Sequence, residues 1–537
     1  MTLMKLTILC TLALLAAAHA EVKMPAIFGD HMVLQQDVKL PVWGWADPGE
    51  KVTVQIGNQK VGTVAGTDGK WKAELRALPT DSTAQTLRVQ GAKSNLEFRD
   101  VLVGEVWVCS GQSNMGYPLV ASHNAAAEIA RAADPQMRLF LVPQFCAADP
   151  QEDTKGRWEI CRPETAAGFS AVGYYFGREL RNELKRPIGL IGSSWGGTTA
   201  QTWTSHAALS RPPAFANYLD QYLKALDAHK GVTPEMTADY EAKRLKWDEE
   251  YRSALRQKLP LPDVHSAPVQ PDPTGVPNPA NARPGIPSTV FNGMIAPLIP
   301  FGIRGVIWYQ GEGNAFSASV AEYRTLFPRL IEDWRAHWGQ GDLPFVFVQL
   351  PNYIATGAPQ DWPLLREAQL QTLSLPNTGM AVTIDLGHPT DVHPKGKLDV
   401  GRRLALAARK VAYGQDIVFS GPIYDSMKVD GNKIRIRFKN TGSGLTMGVT
   451  PWMWDGSTPA KPEKLTGFAI AGTDQKWVGA DAVIEGDEVV VSSEAVAAPV
   501  AVRYAWDTNP TCNLYNKENL PASPFRTDIE NVDGATQ

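Results

Sequence analysis

At 537 residues the chain is too long for a single hydrophobic core and predicts several domains. It is 44% hydrophobic and 20% charged with a formal net charge of -4, the profile of an ordinary soluble protein. Nothing in that balance attracts a polyanion, so nucleic acid is not an expected partner. The 46 glycines, 40 prolines and 16 tryptophans predict many turns and β-rich parts, with aromatic faces for cores or for sugar rings.

In chain order, the first segment is "MTLMKLTILCTLALLAAAHA", with one lysine, an apolar stretch and a small-x-small end at Ala18-His19-Ala20. This reads as a secretory signal peptide over residues 1–20, leaving a mature chain from Glu21 in the periplasm or outside the cell. No later stretch is apolar and long enough to predict a membrane span. Cys10 leaves with that peptide, and Cys109, Cys146, Cys161 and Cys512 remain. In an oxidising compartment Cys146 and Cys161 are candidates for a disulfide, worth roughly 3 kcal/mol on the chain-entropy account. Cys109 lies in an apolar strand and reads as a buried thiol. None of the cysteine spacings suggests a zinc site, and no metal is expected.

Residues 21–100 form a β-rich region of short alternating runs broken by Asp47-Pro48-Gly49, Gly57-Asn58 and Asp68-Gly69. From 101 to 413 the pattern changes. Five apolar runs, "VLVGEVWVCSG", "RPIGLIGSSWGG", "GIRGVIWYQGEGN", "LPFVFVQLP" and "GMAVTIDLG", are separated by helical segments such as "SAVGYYFGRELRNELK". Continuous apolar strands alternating with helices predict a parallel sheet covered on both faces. Residues 206–289 interrupt the alternation. Thr233-Pro234 caps a helix whose Tyr240, Trp247, Tyr251 and Leu255 share one face, and a proline-rich run follows Lys258. This insert is expected either to wall a cleft or to be a peripheral decoration. From Gly414 to the end, strand-like runs predict a second β-rich region, residues 414–537.

Polar clusters follow four of the apolar runs: Ser113 after the first, Gly196-Gly197 after the second, Gln310 to Asn314 after the third, and Asp391-Val392-His393 after the fifth. Ligands in parallel sheets bind beyond the carboxyl ends of the strands, so these clusters are expected to meet at one rim. Ester hydrolysis by a serine needs a hydroxyl, a base in reach, an acid to orient it and donors for the developing oxyanion. All four roles can be filled there. Taken alone, Ser113 would be a turn or cap serine, His393-Pro394 a helix start and Gly196-Gly197 a tight turn. Ser113 has no G-x-S-x-G elbow around it.

The motifs "GQSNM", "SSWGGT", "WYQGEGNA" and "DVHPKGK", in that order, resemble the SGNH (GDSL-like) hydrolases, and within them the sialate O-acetylesterase-like carbohydrate acetylesterases. "FGDHMVLQ" and "VRYAW…NLYN…LPASPFRTD" extend the likeness over nearly the whole mature chain. The resemblance implies an α/β fold with a flavodoxin-like parallel sheet flanked by helices, and jelly-roll or sandwich-like β regions at both ends. It implies Ser113 as nucleophile, His393 as base and Asp391 as its acid. The oxyanion donors would be the N–H groups of Ser113 and Gly197 (Gly196 competes) and the amide of Asn314, with Gln310 as a further candidate. Position 112 is Gln where the wider superfamily has Asp, and the acid stands two residues before the histidine rather than three. Asp385 and Glu312 therefore stay open as rival acids, and so does a serine–histidine dyad. Gln112, Asn114, Trp195, Glu312 and His388 are candidate substrate contacts.

The implied activity is removal of O-acetyl groups from acetylated sugars through an acetyl-serine, without a cofactor. The substrate is expected to be acetylated sialic acid, or else a plant polysaccharide such as xylan or xyloglucan. A non-catalytic glycan-binding protein is the rival from another class, and an acyltransferase a weaker third.

Overall fold

The computed structural model describes residues 21–528, apart from residues 212, 230–232, 258, 261–267, 269–284, 317–319, 355–360, 452, 454 and 458. The predicted signal peptide and most of the proline-rich run after Lys258 lie outside the described residues.

All five apolar runs are strands of one sheet. Its order is Thr378–Val382, Phe345–Gln349, Gly305–Tyr309, Asn95–Gly111, Ile188–Ser194, Asp134–Leu141 and, at the edge, Trp158–Cys161. Every neighbouring pair is parallel except the last, which is antiparallel. The strand Asp134–Leu141 escapes a reading by apolar runs because Arg138 sits inside it. That arginine is 2% exposed, and its guanidinium is held by the Asp100 carboxylate at 2.6 and 3.2 Å.

The strand Asn95–Gly111 carries two patterns. Its first six residues alternate between exposed and half-buried, and its last eleven are all buried. The alternating part pairs antiparallel with Asp81–Gln90 of the N-terminal β region, and the continuous part is the central strand of the parallel sheet. One hydrogen-bonded strand thus runs across residue 100 and joins the two regions. Alternation is what a half-solvated antiparallel strand requires, and continuous burial is what a strand covered on both faces requires.

The two faces are covered by different helices. On one, Trp107 packs edge-on to Phe176 of helix Ala171–Leu184, with ring centroids 5.0 Å apart. Helix Lys397–Val411 crosses that helix closely at Gly401, where a Cβ would stand 2.6 Å from Tyr175 Cβ. On the other face Trp308 meets Phe327 and Trp334 of helix Val320–Trp338. The result is a mixed α/β fold with a large central mixed sheet and further β-rich regions.

Among its described residues the C-terminal region contains two four-stranded sheets and a two-stranded pair, Leu445–Met447 with Leu514–Asn516. It is fastened to the far side of the parallel sheet by polar contacts. Arg526 grips Glu367 at 2.9 and 3.0 Å, and Tyr515 bonds Asp385 at 2.9 Å. The fully buried Arg366 donates to the carbonyls of Asp507 and Thr508.

Within the insert, Ala216–His229 and Pro234–Gln257 are helices, and Thr233 Oγ1 accepts the Met236 N–H at 3.3 Å as a cap. Among the described residues no helix is long and apolar enough to cross a membrane. The candidate disulfide does not form: Cys146 and Cys161 are both buried free thiols. Cys161 stands opposite Asp134 at the start of the edge strand pair, whereas Cys146 follows that strand's far end. Eight residues of strand put on the order of 25 Å between those ends, beyond the reach of a disulfide.

Candidate active site

From the central strand the chain passes first to one side of the sheet (Asp134–Leu141, then Ile188–Ser194) and afterwards to the other (Gly305–Tyr309 onward). Strands Asn95–Gly111 and Gly305–Tyr309 are therefore neighbours whose outgoing connections diverge, which opens a crevice beyond their carboxyl ends. Ser113 and the Gln310–Asn314 cluster leave the sheet at that crevice. The strand ends approach closely because residue 111 is glycine: its φ is +133°, and a Cβ there would lie 2.1 Å from the Tyr309 carbonyl oxygen.

Ser113 opens the short helix Ser113–Gly116, in which the N–H groups of Met115 and Gly116 both return to the Gln112 carbonyl. The Ser113 N–H, at the first helical position, has no acceptor within the helix. The second cluster presses against it. A Cβ on Gly196 would stand 3.2 Å from Ser113 Cβ, and Gly197 holds φ +73° in the turn that follows.

His393 arrives from the loop after Thr378–Val382, with Nε2 2.7 Å from Ser113 Oγ. The Tyr117 ring stacks on its imidazole, centroids 6.3 Å apart and planes 22° from parallel. Asp391 places Oδ1 3.9 Å from His393 Nδ1 and accepts the His393 backbone N–H at 2.8 Å. Its carboxylate is 48% exposed. The other two candidate acids are committed elsewhere. Asp385 holds Arg403 at 2.6 and 2.7 Å and accepts the Tyr515 hydroxyl. Glu312 is 2% exposed and bonded to Asn114.

Asn314 is wholly buried, and its carboxamide is oriented by its neighbours. Oδ1 accepts from the Ala200 N–H and from Gln310 Nε2, both at 2.8 Å, and Nδ2 donates to Gln201 Oε1 at 3.1 Å. Gln310 cannot serve as an oxyanion donor. Its two side-chain N–H groups go to Asn314 Oδ1 and the Thr198 carbonyl, while its oxygen accepts from Tyr323. It aims Asn314 instead.

The candidate substrate contacts also need correction. Gln112, Asn114, Trp195 and Glu312 are at most 5% exposed. Gln112 Oε1 accepts the N–H groups of Gly311 and Gly313, so it ties the first cluster to the third rather than facing a ligand. Trp195 has its backbone N–H on the Gly111 carbonyl and its ring in the core. His388, half-buried, accepts the N–H groups of Thr390 and Asp391 at Nδ1, which shapes the turn carrying Asp391.

Beneath the serine lies a group that the motif reading passed over. Lys397 is 1% exposed and donates to Asn114 Oδ1. Asn114 Nδ2 donates to Glu312 Oε1 at 2.5 Å and to the Val392 carbonyl, next to His393, at 2.9 Å. The Lys397 ammonium lies over the rings of Tyr117 and Tyr309, at 5.0 and 5.3 Å. Burial pulls the lysine down from 10.5 to about 7, against the opposing attraction of Glu312 and Asp391. Burial likewise pushes the Glu312 carboxyl up. The signal was present in the helix pattern, since Lys397 shares a face with Val400, Gly401, Leu404 and Ala408, all buried.

Comparison with known proteins shows the family of the chain. The family described as "Carbohydrate esterase, sialic acid-specific acetylesterase" matches residues 291–410, a span that holds Asn314, Asp391, His393 and Lys397. The sialate O-acetylesterase of Rattus norvegicus is 30% identical, with 93% of each chain covered. The human sialate O-acetylesterase is 28% identical, over 94% of this chain and 92% of its own. In the crystal structure of a carbohydrate acetylesterase from Xanthomonas citri, 38% identical, 95% of this chain and all of that one superpose with a TM-score of 0.76. The chain is an esterase, and it belongs to the sialate O-acetylesterase family of carbohydrate esterases.

Proposed function

We propose that the chain is a serine-dependent carbohydrate O-acetylesterase of SGNH type, exported by the segment at residues 1–20. Ser113 Oγ attacks the acetyl carbonyl carbon while its proton passes to His393 Nε2. The resulting oxyanion accepts hydrogen bonds from the N–H groups of Ser113 and Gly197 and from Asn314 Nδ2. Collapse of the tetrahedral species breaks the bond to the sugar oxygen, which takes the proton from His393 and leaves as the alcohol. Water then gives a proton to His393 and attacks the acetyl-serine; acetate departs and Ser113 recovers its proton. Asp391 steadies the imidazolium. No step calls on a cofactor.

The observation that carries this reading is the 2.7 Å contact between Ser113 Oγ and His393 Nε2, from residues 280 positions apart, at the crevice where the strand connections diverge. The test is release of acetate from an aryl acetate and from an acetylated glycan by wild type and by Ser113→Ala. Hydrolysis is expected to vanish in the variant, and turnover at the wild-type rate would overturn the assignment. Export is checked by the N-terminal residue of protein recovered outside the cytoplasm, expected to be Glu21.

A further inference from the structure

Gln144, just beyond the strand Asp134–Leu141, stands between the insert and the strand that leads to Gly196-Gly197. The backbone on either side of it is tied down. The Val142 N–H donates to the Gly192 carbonyl at 2.9 Å, and the Ala147 N–H donates to the Thr289 carbonyl at 3.0 Å. The Phe145 carbonyl closes against Gly293, where a Cβ would stand 2.2 Å from its oxygen. What is left to turn is the Gln144 carboxamide, whose two ends are chemically opposite: one accepts hydrogen bonds and the other donates them.

Arg244, on the insert helix Pro234–Gln257, decides which end faces which way. It is buried, and its guanidinium donates to Gln144 Oε1 at 2.6 Å. A guanidinium has donors only, so the amide presents its oxygen to the insert and its NH2 to the sheet. There Gln144 Nε2 donates to the Ser194 carbonyl at 3.1 Å. Arg244 is itself held in place. Its Nε donates to Asp248 Oδ1 at 3.0 Å, its guanidinium lies 5.0 Å from the Trp247 ring, and one turn earlier Tyr240 is buried against Phe145, centroids 6.5 Å apart.

The peptide between Ser194 and Trp195 closes the strand Ile188–Ser194. Gln144 holds its C=O, and the Gly111 carbonyl accepts its N–H at 3.0 Å. One peptide unit thus ties the insert to the strand that delivers Ser113. On the far side of the turn, the Thr198 hydroxyl donates to the Trp195 carbonyl at 2.8 Å and Gln310 Nε2 donates to the Thr198 carbonyl at 3.2 Å. Gly196 and Gly197 lie between these two fixed ends. A tilt of the Ser194–Trp195 peptide therefore passes into the direction of the Gly197 N–H.

We propose that Arg244 and Gln144 are positioning residues for the oxyanion turn: the arginine orients the amide, and the amide fixes the peptide from which Gly196-Gly197 departs. The insert is then a brace for the reaction and not a peripheral decoration. This rests on the serine esterase reading in which the Gly197 N–H faces the oxyanion. Residues that act through the turn change the rate of the chemical step, so their loss belongs in kcat and not in KM.

The discriminating variant is Gln144→Glu. Its carboxylate keeps an acceptor for Arg244, which keeps the insert docked, but it has no N–H for the Ser194 carbonyl. On an aryl acetate kcat should fall on the order of 10-fold, short of the roughly 100-fold of a full ~1 Å displacement, with KM little changed and the urea unfolding midpoint not lowered. Gln144→Met and Arg244→Met should each lose a similar factor, and the double variant no more than either alone, because the arginine acts through the amide. Arg244→Lys keeps a donor and should retain most of the rate. A wild-type kcat in Gln144→Glu overturns the brace, as do losses at the two positions that multiply or a loss carried by KM. Inertness of wild type toward every acetate would instead remove the esterase reading beneath it.

Discussion

Lys397→Met gives the sharpest test of how the site is supported. The lysine titrates near 7 in the folded chain and at 10.5 when unperturbed, chiefly because burial penalises its charge. Between those values the unfolded chain binds more protons than the native one, so the lysine's contribution to stability rises with pH. The cost of the buried ammonium is fully present below pH 7 and gone above 10.5. That displacement amounts to on the order of 5 kcal/mol. Glu312 has the opposite sign: its folded carboxyl is raised, so its contribution falls as pH climbs from 4.5 through the folded value. Methionine removes the first titration. The wild-type stability minus that of the variant should therefore increase from pH 7 to 10.5, by up to that amount, in urea unfolding followed as a function of pH. The variant also leaves Asn114 Oδ1 without its donor, and Asn114 Nδ2 is what holds the Val392 carbonyl beside His393. A displacement of ~1 Å at a reacting group costs on the order of 100-fold, so kcat on an aryl acetate should fall 10- to 100-fold, in the sense of that estimate, with KM little changed. A stability difference that is flat over the window would refute the burial argument. A wild-type kcat would refute the link through Asn114.

Four further outcomes are expected. Asn314→Ala should lower kcat on the order of 100- to 1000-fold, and it should also lower the unfolding midpoint because Ala200 N–H and Gln310 Nε2 lose their acceptor; an unchanged midpoint would mean that its orientation is not fixed from behind. Asp391→Asn should cost only about 10-fold in kcat, far less than the ~10⁴ typical of a buried triad acid, since the carboxylate is 48% exposed and 3.9 Å from the ring; steady-state kinetics on an aryl acetate decides. Asp385→Asn should cost about 3–5 kcal/mol in urea unfolding, because it strands Arg403 in a bidentate pair whose partners are 5% and 3% exposed. Thiol titration of a chain of residues 21–537 without reductant should find four thiols after denaturation, whereas two would signal the Cys146–Cys161 bridge that the fold keeps apart.

The five central strands were legible because a strand buried on both faces must be apolar at every position, which makes it stand out from its surroundings. The strand Asp134–Leu141 was not, because its buried Arg138 is neutralised by Asp100, a partner 38 residues away that no local pattern reveals. The same division runs through the site. Ser113, Asp391 and His393 were readable from four motifs in order, and the structure brings the three together. The candidate substrate contacts were misjudged for a physical reason: a polar side chain at a strand's carboxyl end can point outward to a ligand or back into the turn. Gln112 turns back because the N–H groups of Gly311 and Gly313 need an acceptor. Asn114 turns back because Lys397, Glu312 and the Val392 carbonyl converge on it. Such partners come from elements up to 283 residues distant, and spacing along the chain carries no trace of them.

This inward turning also bears on how specificity can vary in such an enzyme. Three parts of the site are backed by buried polar side chains: Gln310 behind Asn314, Asn114 behind the Val392–His393 backbone, and Gln112 between the serine and Glu312 loops. Buried polar groups are costly to leave unpaired, so changing one forces change in its partners, and the arrangement resists drift. The insert helix is subject to no such constraint over its outer face. Its anchors, Tyr240 and Arg244, are buried, while Trp247 and Tyr251, further along the helix, are half-buried and stack on each other. Replacements at Gln310 or Asn114 should therefore change how the ester is broken, read as a fall in kcat on an aryl acetate, before they change which acetylated glycan is accepted.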